Sequence, residues 1–465
     1  MSMSEPPVAP DPKEASREDD YRLDPAVVAA VKEALGAADG DALAGAVDDL
    51  HVADLADLLE QLGTDHRRRL IALGWQGLDN EVLIELSEGV RDEVLELLQP
   101  ADLAEAAREL ETDDVVYLLG DLDEEQRAQV LAALDPADRV AVARSLTYPE
   151  YSAGRLMQTD FVRAPKFWTV GQMIDFLRAS DDLPEQFYDI VVVDAAMKPV
   201  GLLPLAKVLG NRRPVILGAI MNTGFETFQG SDPQEDVGYA FKQYHLITAP
   251  VLDDDGRIVG VITIDDAVEA LDDEADEDLK RLGGVGDEDI SDTIWEITQR
   301  RFPWLAVNLA TAILASMVIA QFEETIAAVV ALAVLMPIVA SMGGNAGTQS
   351  LTVAVRALAT RDLTSTNAGR VVLREAVVGM LNGFAFAFLM GAIAIGWFGD
   401  VMIGAVIAVA MVINMLAAAL AGILIPIALD RAGADPALAS GTFVTTVTDV
   451  VGFFAFLGFA AVVLL

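Results

Sequence analysis

The sequence contains no cysteine among its 465 residues, so it can form no disulfide and offers no thiolate ligand to a metal ion. Bases are also scarce, because 31 Lys and Arg stand against 72 Asp and Glu, which gives a formal net charge of −41 at pH 7. A surface this acidic does not bind nucleic acid or anionic lipid through a general basic patch. The first residues do not follow the basic-then-apolar pattern of a signal peptide, so we expect none. The composition favours cations as partners, and simple solvation is the alternative.

The charge is concentrated in the first 300 residues. Only eight of the 72 acids and six of the 31 bases lie in residues 301–465, which leaves 64 acids and 25 bases before them. Those eight acids are Glu323, Glu324, Asp362, Glu375, Asp400, Asp430, Asp435 and Asp449. The chain therefore consists of a strongly acidic part followed by an apolar part.

The apolar part contains five segments, each near or above the ~20 residues that span a bilayer. They lie at about 303–320, 325–355, 375–398, 401–429 and 439–465. Arginines flank alternate ends of these segments, which predicts a cytosolic N-terminal part and a C-terminus outside. We expect a multi-pass protein of the plasma (bacterial inner) membrane. Because five helices cannot form two equal inverted halves, a pore is expected on a dimer axis.

Asp449 is the only acid deep inside one of these segments. A charge at this depth costs several kcal/mol or more, so intramembrane acids are functional by default. On a helix, Thr442, Thr445, Asp449 and Gly452 share one face, which sets a carboxylate in a row of hydroxyls beside a small residue. This pattern indicates a cation site on a membrane path. The alternative is a buried, protonated Asp that bonds its own threonines.

The second apolar segment contains a polar, glycine-rich stretch from Pro337 to Ser350. Proline removes a backbone donor and three glycines loosen a helix, so we expect irregular backbone lined by protein or water. Asn345 and Thr348 supply neutral oxygens there. Close packing of helices through small residues is the alternative.

The spacing of apolar residues divides the acidic part into three segments with different predicted structures. Residues 1–23 are predicted to be disordered, and residues 24–146 carry repeated Asp- or Pro-initiated helical patterns, which indicate a superhelix or an ordinary bundle. Residues 147–271 contain two half-copies of a loop, helix and strand pattern, and resemble a tandem pair of cystathionine-β-synthase (CBS) domains. That family often binds adenine nucleotides, and only the second copy keeps the ribose-contacting pattern, with Thr263 and Asp266. At most one nucleotide site, for ATP, is therefore expected.

Residues 272–301 are predicted to form an acidic connecting helix with a glycine hinge at residues 283–286, after which a helix from Ile290 to Arg301 runs into the membrane. The connecting helix continues a stretch, from Asp265 to Asp278, that holds nine acids and no base. Like charges at helical spacing repel one another, and hard divalent cations take carboxylate oxygens, so the stretch indicates a cation-screened helix or a solvated linker.

Together these features resemble the MgtE family of magnesium channels, from about residue 25 onward. The specific motifs are the membrane stretches Pro337–Gln349 and Thr445–Gly452. The resemblance implies a multidomain membrane protein with an α-helical superhelix domain, an α/β CBS pair, a connecting helix and five transmembrane helices. It also implies a homodimer with Mg²⁺ at Asp449, and we add Thr445, Thr446, Asn345 and Thr348 as pore-lining residues.

The resemblance further implies that Mg²⁺ bound between the cytosolic domains keeps the pore shut. The matching residues are acids of the connecting helix and of the second CBS copy, to which we add two acids of the helical domain. They are Asp266, Glu269, Glu274, Glu277 and Asp278, with Glu235, and then Asp113 and Asp114. His245 stands where another acid is expected, so one ion site differs here.

The predicted function is a Mg²⁺ channel gated by cytosolic Mg²⁺, and no enzyme activity is predicted. One hydrated divalent ion held by few carboxylates is the usual way in which proteins bind Mg²⁺. The first alternative is a cation-coupled carrier of Mg²⁺, Co²⁺ or Mn²⁺ that uses the same Asp449. An intramembrane aspartyl protease would need a second Asp, and a nucleotide-sensing receptor would not need Asp449.

Overall fold

The computed structural model describes residues 23–75, 78–180, 183–184, 186–285, 288 and 294–465. The predicted disordered tail lies almost wholly outside the described residues. The described residues up to Leu271 form one compact unit, and those from Asp272 onward form a second.

The first unit begins with short helices that follow one another closely. Aspartates cap several of them, as Asp24 and Asp39 do, and Pro100 and Pro136 occupy first-turn positions where the missing N–H costs nothing. The helices are α1 (Pro25–Ala37), α2 (Gly40–Val47), α3 (Val52–Gln61), α4 (Thr64–Gly74), α5 (Val82–Glu85), α6 (Glu88–Leu97), α7 (Pro100–Glu109), α8 (Thr112–Asp121), α9 (Glu124–Ala133) and α10 (Pro136–Ser145).

Arginines satisfy the carbonyls at the ends of these helices at recurring intervals. Arg67 donates to the carbonyls of Leu59 and Leu62 at 3.1 and 2.7 Å. Arg127 does the same for Leu119 and Leu122, at 2.8 and 3.1 Å. Because the last carbonyls of a helix have no partner within it, each arginine ties one helix end to the next helix. The same arginine–carbonyl contact at two successive helix pairs is typical of stacked helical repeats.

Two small sheets of identical topology follow. In each, the first strand pairs parallel to the second and the second pairs antiparallel to the third. The elements are β1 (Arg163–Pro165), α11 (Val170–Ala179), β2 (Asp189–Val193), β3 (Pro199–Pro204), α12 (Leu205–Gly210), β4 (Phe228–Gln229), α13 (Gln234–Tyr244), β5 (Thr248–Leu252) and β6 (Ile258–Thr263).

The two copies are intertwined through their entry segments. Gln158, which precedes the first sheet, forms a bridge with Val261 of β6, and Asn222, which precedes the second, forms one with Leu202 of β3. Each copy thus contributes an extended segment to the other copy's third strand. This exchange explains why both copies belong to the same compact unit.

Helix α14 (Ile264–Gly283) begins directly after β6, eight residues before the predicted boundary of the connecting helix. The side chain of Asp266, in the first turn of α14, accepts hydrogen bonds from the hydroxyl and the backbone N–H of Thr263. These bonds satisfy a backbone donor just before the helix and so stabilise its N-terminal end. Gly284 follows it with φ +71°, a left-handed conformation that suits glycine at a helix end. The acidic helix therefore ends where the glycine hinge was predicted, and the described helical structure resumes at Ile294.

In the second unit, the described residues include five helices long and apolar enough to cross a membrane. They are α15 (Ile294–Ala320), α17 (Ala331–Ala359), α18 (Ala368–Phe398), α19 (Val401–Arg431) and α20 (Pro436–Val463), with the short α16 (Glu323–Ala328) after α15. Helix α19 is the most buried of the five and packs against α17, α18 and α20.

The expectation of irregular backbone between Pro337 and Ser350 is wrong. Helix α17 is continuous through this stretch, with Pro337 in its second turn. The glycines serve close packing instead, since Gly343 and Gly347 are buried and an added methyl at Gly347 would lie 2.5 Å from Val444 of α20. The alternative of small-residue packing therefore holds for this segment.

Candidate functional site

Asp449 lies in the middle of α20, half-buried within the single chain. Thr445, one turn earlier, is exposed, and Thr446 is partly buried. Of the four residues predicted to share one face of this helix, the first and the last contact other helices. Thr442 donates a 2.9 Å hydrogen bond to Asn308 of α15, and Gly452 is buried against Asn414 of α19. The carboxylate therefore lies between positions that contact protein on both sides.

The hydroxyls near Asp449 direct their hydrogens into the helix. Thr445 and Thr446 donate to the carbonyls of Gly441 and Thr442 at 2.9 and 2.6 Å. Thr348 of α17 donates likewise to Gly344 at 2.9 Å. A hydroxyl that donates inward keeps its lone pairs free to accept from water or to face a cation. These side chains thus offer oxygen atoms to a hydrated ion.

The polar side chains of α17 are exposed on the single chain. Asn345 and Thr348 are both exposed, whereas Gly343 and Gly347, on another face of the same helix, are buried. Helix α17 therefore has one face that packs against protein and one polar face that the other described residues leave exposed.

Asn414 belongs to the same region and was not predicted from the sequence. It is 1% exposed in the middle of α19, and its side-chain amide donates a 2.8 Å hydrogen bond to the carbonyl of Val339 in α17. The signal that could have found it is that Asn414 is the only strongly polar side chain between Val401 and Leu429.

In the first unit, four carboxylates form what we call the acidic cluster: Glu111, Asp113, Asp114 and Asp266. The first three lie at and just after the start of α8, and Asp266 lies in the first turn of α14. Two contacts join the start of α8 to the segment before β1, because Thr112 and Thr159 share a 2.9 Å hydrogen bond and Gln158 donates to Glu111. Gln158 also forms a bridge with Val261 of β6, the strand that leads into α14. The fold thus places three of the predicted regulatory residues, Asp113, Asp114 and Asp266, close enough to affect one another's charge, together with Glu111, which was not predicted.

The acidic cluster binds protons strongly. Burial, reinforced by the charge of Asp266, raises the pKa of Glu111 and that of Asp114 to about 7. Burial raises the pKa of Asp266 to about 6 and that of Asp113 well above its usual range. Because each carboxylate costs free energy beside the others, any cation that neutralises the cluster is stabilised there.

Asp113 is the least satisfied member of the cluster. It is 6% exposed, and neither carboxyl oxygen accepts a hydrogen bond from any described residue. Buried carboxylates are normally paired or bound to metal, so the site fits a cation. Within the described ranges no three acid or imidazole groups converge to ligate one ion directly. Carboxylate oxygens are the ligands that Mg²⁺ takes in proteins, usually with several waters retained.

The remaining predicted regulatory residues lie elsewhere. Glu269 follows Asp266 by one turn and adds to the charge that raises the pKa of Asp114. Glu235 is exposed in the first turn of α13, and His245 ends that helix in a left-handed conformation with φ 53°. Glu274 and Asp278 are half-buried on α14, where Glu277 forms an ion pair with Arg281.

The predicted nucleotide-contacting pair is bonded internally. Thr263 is 6% exposed, and its hydroxyl donates a 2.6 Å hydrogen bond to Asp266. The same carboxyl thus caps α14 and belongs to the acidic cluster.

The helical domain, the paired CBS-like sheets and the five apolar helices define a multidomain membrane protein of the transporter class. Comparison with known families agrees in each part. Residues 336–459 match the MgtE divalent cation transporter model, residues 50–151 match the MgtE intracellular N domain, and residues 217–273 match the CBS domain.

The chain belongs to the MgtE family of magnesium transporters. It is 33% identical over 454 residues to the magnesium transporter MgtE of Thermus thermophilus, covering 93% of this chain and 98% of that one. It is 34% identical over 304 residues to the Enterococcus faecalis magnesium transporter MgtE, covering 65% and 67% of the two chains. A crystal structure of the cytosolic domain of the Mg²⁺ channel MgtE in complex with ATP is 31% identical and covers 52% of this chain and 99% of its own, with a TM-score of 0.48. The predicted family and fold class are confirmed.

Proposed function

We propose that the protein is a homodimeric Mg²⁺ channel that closes when cytosolic Mg²⁺ binds its acidic surfaces. The observation that carries the proposal is Asp449 itself, half-buried on α20 with hydroxyl oxygens one turn away. A single carboxylate per chain, surrounded by neutral oxygens, binds a hydrated divalent ion weakly enough to release it. The pore-lining residues are Asp449, Thr445, Thr446, Asn345 and Thr348.

The dimer follows from the exposed polar face of α17. Asn345 and Thr348 are exposed on the single chain, as is Thr445 of α20. Polar groups in the hydrocarbon region are stable only against protein or water. A second copy that faces these residues across a water-filled axis supplies both, and it brings two Asp449 carboxylates to match the two charges of the ion.

Closure is assigned to the acidic residues of the cytosolic part. Two buried oxygens of Asp113 lack a hydrogen-bond donor in the described structure, and the pKa of each cluster member is raised. Mg²⁺ relieves this repulsion and so stabilises the packed arrangement of α8 and α14. The set of regulatory ligands is the acidic cluster with Glu269, Glu274, Glu277, Asp278 and Glu235. Several weak sites together supply the several kcal/mol that a switch requires.

ATP is proposed as a second regulatory ligand at the second CBS copy, with Thr263 and Asp266 as ribose contacts. Because Asp266 also belongs to the acidic cluster, nucleotide and Mg²⁺ binding are expected to be linked. Calorimetric titration of ATP into the protein and its Asp266→Asn variant tests this. Unchanged ATP affinity in the variant would refute the assignment.

The membrane is the plasma (bacterial inner) membrane, with the N-terminus in the cytosol and the C-terminus outside. The alternation of arginines in the loops supports this orientation. Protease digestion of intact cells tests it. Cleavage of the helical domain from outside would contradict it.

Electrical recording separates the channel from a cation-coupled carrier. Purified protein in a planar bilayer should give single-channel currents carried by Mg²⁺, suppressed when millimolar Mg²⁺ is added on the cytosolic side. Flux that is tightly coupled to protons or Na⁺, without unitary currents, would favour the carrier.

A further inference from the structure

Asn414 occupies the point where α17, α19 and α20 meet. Its side chain is 1% exposed, and its Nδ2 donates to the carbonyl of Val339 on α17 at 2.8 Å. Gly343 of α17 and Gly452 of α20 lie against the same amide. One polar side chain therefore contacts the two helices that carry the proposed pore residues.

The two glycines provide the space for this side chain. A methyl group at Gly343 would overlap Nδ2 of Asn414, and one at Gly452 would lie 2.8 Å from the same atom. Real Cβ contacts do not occur at such distances, so either the buried Asn414 side chain would have to move or the helices would have to separate. The amide thus acts as a spacer whose size matches two glycine positions.

Only one of the two polar atoms of the Asn414 amide has a hydrogen-bond partner among the described residues. Its Oδ1 is buried and has no hydrogen-bond partner in the part of the chain that the structure describes. A buried carbonyl without a partner costs free energy, which an apolar residue of the same shape would avoid. A buried polar residue that is only half satisfied and yet joins the two helices that carry the proposed pore residues is typical of a functional position.

We propose that Asn414 is a positioning residue for the ion path: seated between Gly343 and Gly452, it sets the separation of α17 and α20. Gly452 lies three residues after Asp449, and Gly343 lies two residues before Asn345. The separation therefore fixes where the carboxylate lies relative to the oxygens that face the ion. This inference rests on the proposed function, because it requires Asp449 to bind a passing ion.

The test uses the full-length protein in lipid vesicles and measures Mg²⁺ uptake against external Mg²⁺, with Ca²⁺ and Mn²⁺ as competitors. Asn414→Ala removes the spacer, so α17 and α20 can approach one another. We expect its half-saturating Mg²⁺ concentration to rise about tenfold and its preference over Ca²⁺ to fall. Asn414→Leu keeps the branched shape and therefore the separation, so its half-saturation should stay within about threefold of the unsubstituted protein, with the melting temperature unchanged or higher. A purely structural role predicts a lower melting temperature for Asn414→Ala with unchanged half-saturation.

A second pair of variants does not depend on the single Asn414→Ala variant folding. Gly452→Ala should impair uptake, and the double variant Asn414→Ala/Gly452→Ala should restore half-saturation to within about threefold of the unsubstituted protein, since the added methyl takes the space that the smaller side chain leaves. Gly458→Ala, on the same helix with only ordinary contacts at 3.6 Å, is the matched control. Failure of the double variant to recover, or unchanged half-saturation and selectivity in Asn414→Ala, would overturn the inference alone. Absence of Mg²⁺ uptake by the unsubstituted protein would overturn the proposed function.

Discussion

Arg281, near the end of α14, forms an ion pair with Asp435, the residue that caps α20. Arg281 Nη1 lies 2.5 Å from one carboxyl oxygen of Asp435, while the other oxygen accepts a 2.7 Å hydrogen bond from the N–H of Ala437. The end of the acidic helix is thus bonded to the start of the helix that carries Asp449. Arg281 also pairs with Glu277, one of the predicted regulatory acids. The contact offers a direct route by which the acidic helix can act on the helix that carries the proposed pore residue Asp449.

The Asp435→Asn variant tests this route. Asparagine caps a helix as well as aspartate does but cannot form the ion pair, so α20 should start unchanged while the link to Arg281 weakens. We expect the cytosolic Mg²⁺ concentration for half-closure to rise about threefold. Asp400→Asn, which alters the equivalent cap of α19, is the control and should behave like the unsubstituted protein. Equal half-closure concentrations in all three proteins would exclude the route.

Neutralising the acidic cluster should weaken closure. Asp113→Asn and Asp266→Asn each remove a charge that Mg²⁺ is proposed to offset, so channels should stay open at Mg²⁺ concentrations that close the unsubstituted protein. The combined replacement of Asp266, Glu269, Glu274 and Glu277 should leave the channel active at high internal Mg²⁺. Patch recording at varied cytosolic Mg²⁺ measures both.

The control for these variants is Asp138→Asn, because Asp138 is an exposed first-turn acid of α10. It should close normally. If the cluster variants also close at the usual concentration, the switch lies elsewhere in the chain.

The packing of α8 against the start of α14 should depend on pH when Mg²⁺ is absent. Glu111 and Asp114 have pKa values of about 7 and Asp266 one of about 6, all raised above the ordinary carboxyl range, so the packed state binds protons more tightly than the separated state. The free energy by which protonation of these carboxyls favours the packed state is therefore fully present below pH ~4 and is lost as the pH rises through ~7.

Hydrogen exchange of α8 amides from pH 5 to pH 8, corrected for intrinsic rates, measures this effect. Protection should fall as pH rises, and millimolar Mg²⁺ should remove most of the dependence by replacing the protons. Protection that rises with pH would contradict the assigned pKa shifts.

Arg67 should contribute strongly to the stability of the helical domain. It donates to two carbonyls at the end of α3 and forms an ion pair with Glu93, and it is only 8% exposed. Arg67→Ala would leave these groups buried without a partner, so the free energy of unfolding should fall by about 3 kcal/mol. Arg68→Ala, at an exposed position of the same helix, should change it by less than ~0.5 kcal/mol. Denaturant titration compares the two.

The sequence was sufficient to predict the fold class because each part has a strong pattern. Five apolar segments, a repeated strand pattern and Asp-initiated helices each follow from local chemistry. The error at α17 arose because Pro337 and the glycines have two uses, breaking a helix or packing it. Only the neighbouring side chains, Val444 and Asn414, distinguish them.

Part of the candidate site could be predicted from the sequence, and part could be found only from the structure. Asp449 is recognisable from sequence, since a lone acid in an apolar helix is costly and is rarely retained without a function. Glu111 and the pair Arg281–Asp435 are not, because charged residues are abundant in their surroundings and only tertiary contacts single them out. Mg²⁺ binding by Asp449, by the acidic cluster and by Glu235, Glu274 and Asp278 stays a prediction.

The most direct test of the account is Mg²⁺ uptake into vesicles by the purified protein and by Asp449→Asn, measured at low internal Mg²⁺ so that closure does not interfere. The amide keeps the shape of the side chain and removes only its charge. The account predicts rapid uptake by the unsubstituted protein and a loss of at least about a hundredfold in the variant. Equal uptake by both proteins would contradict it.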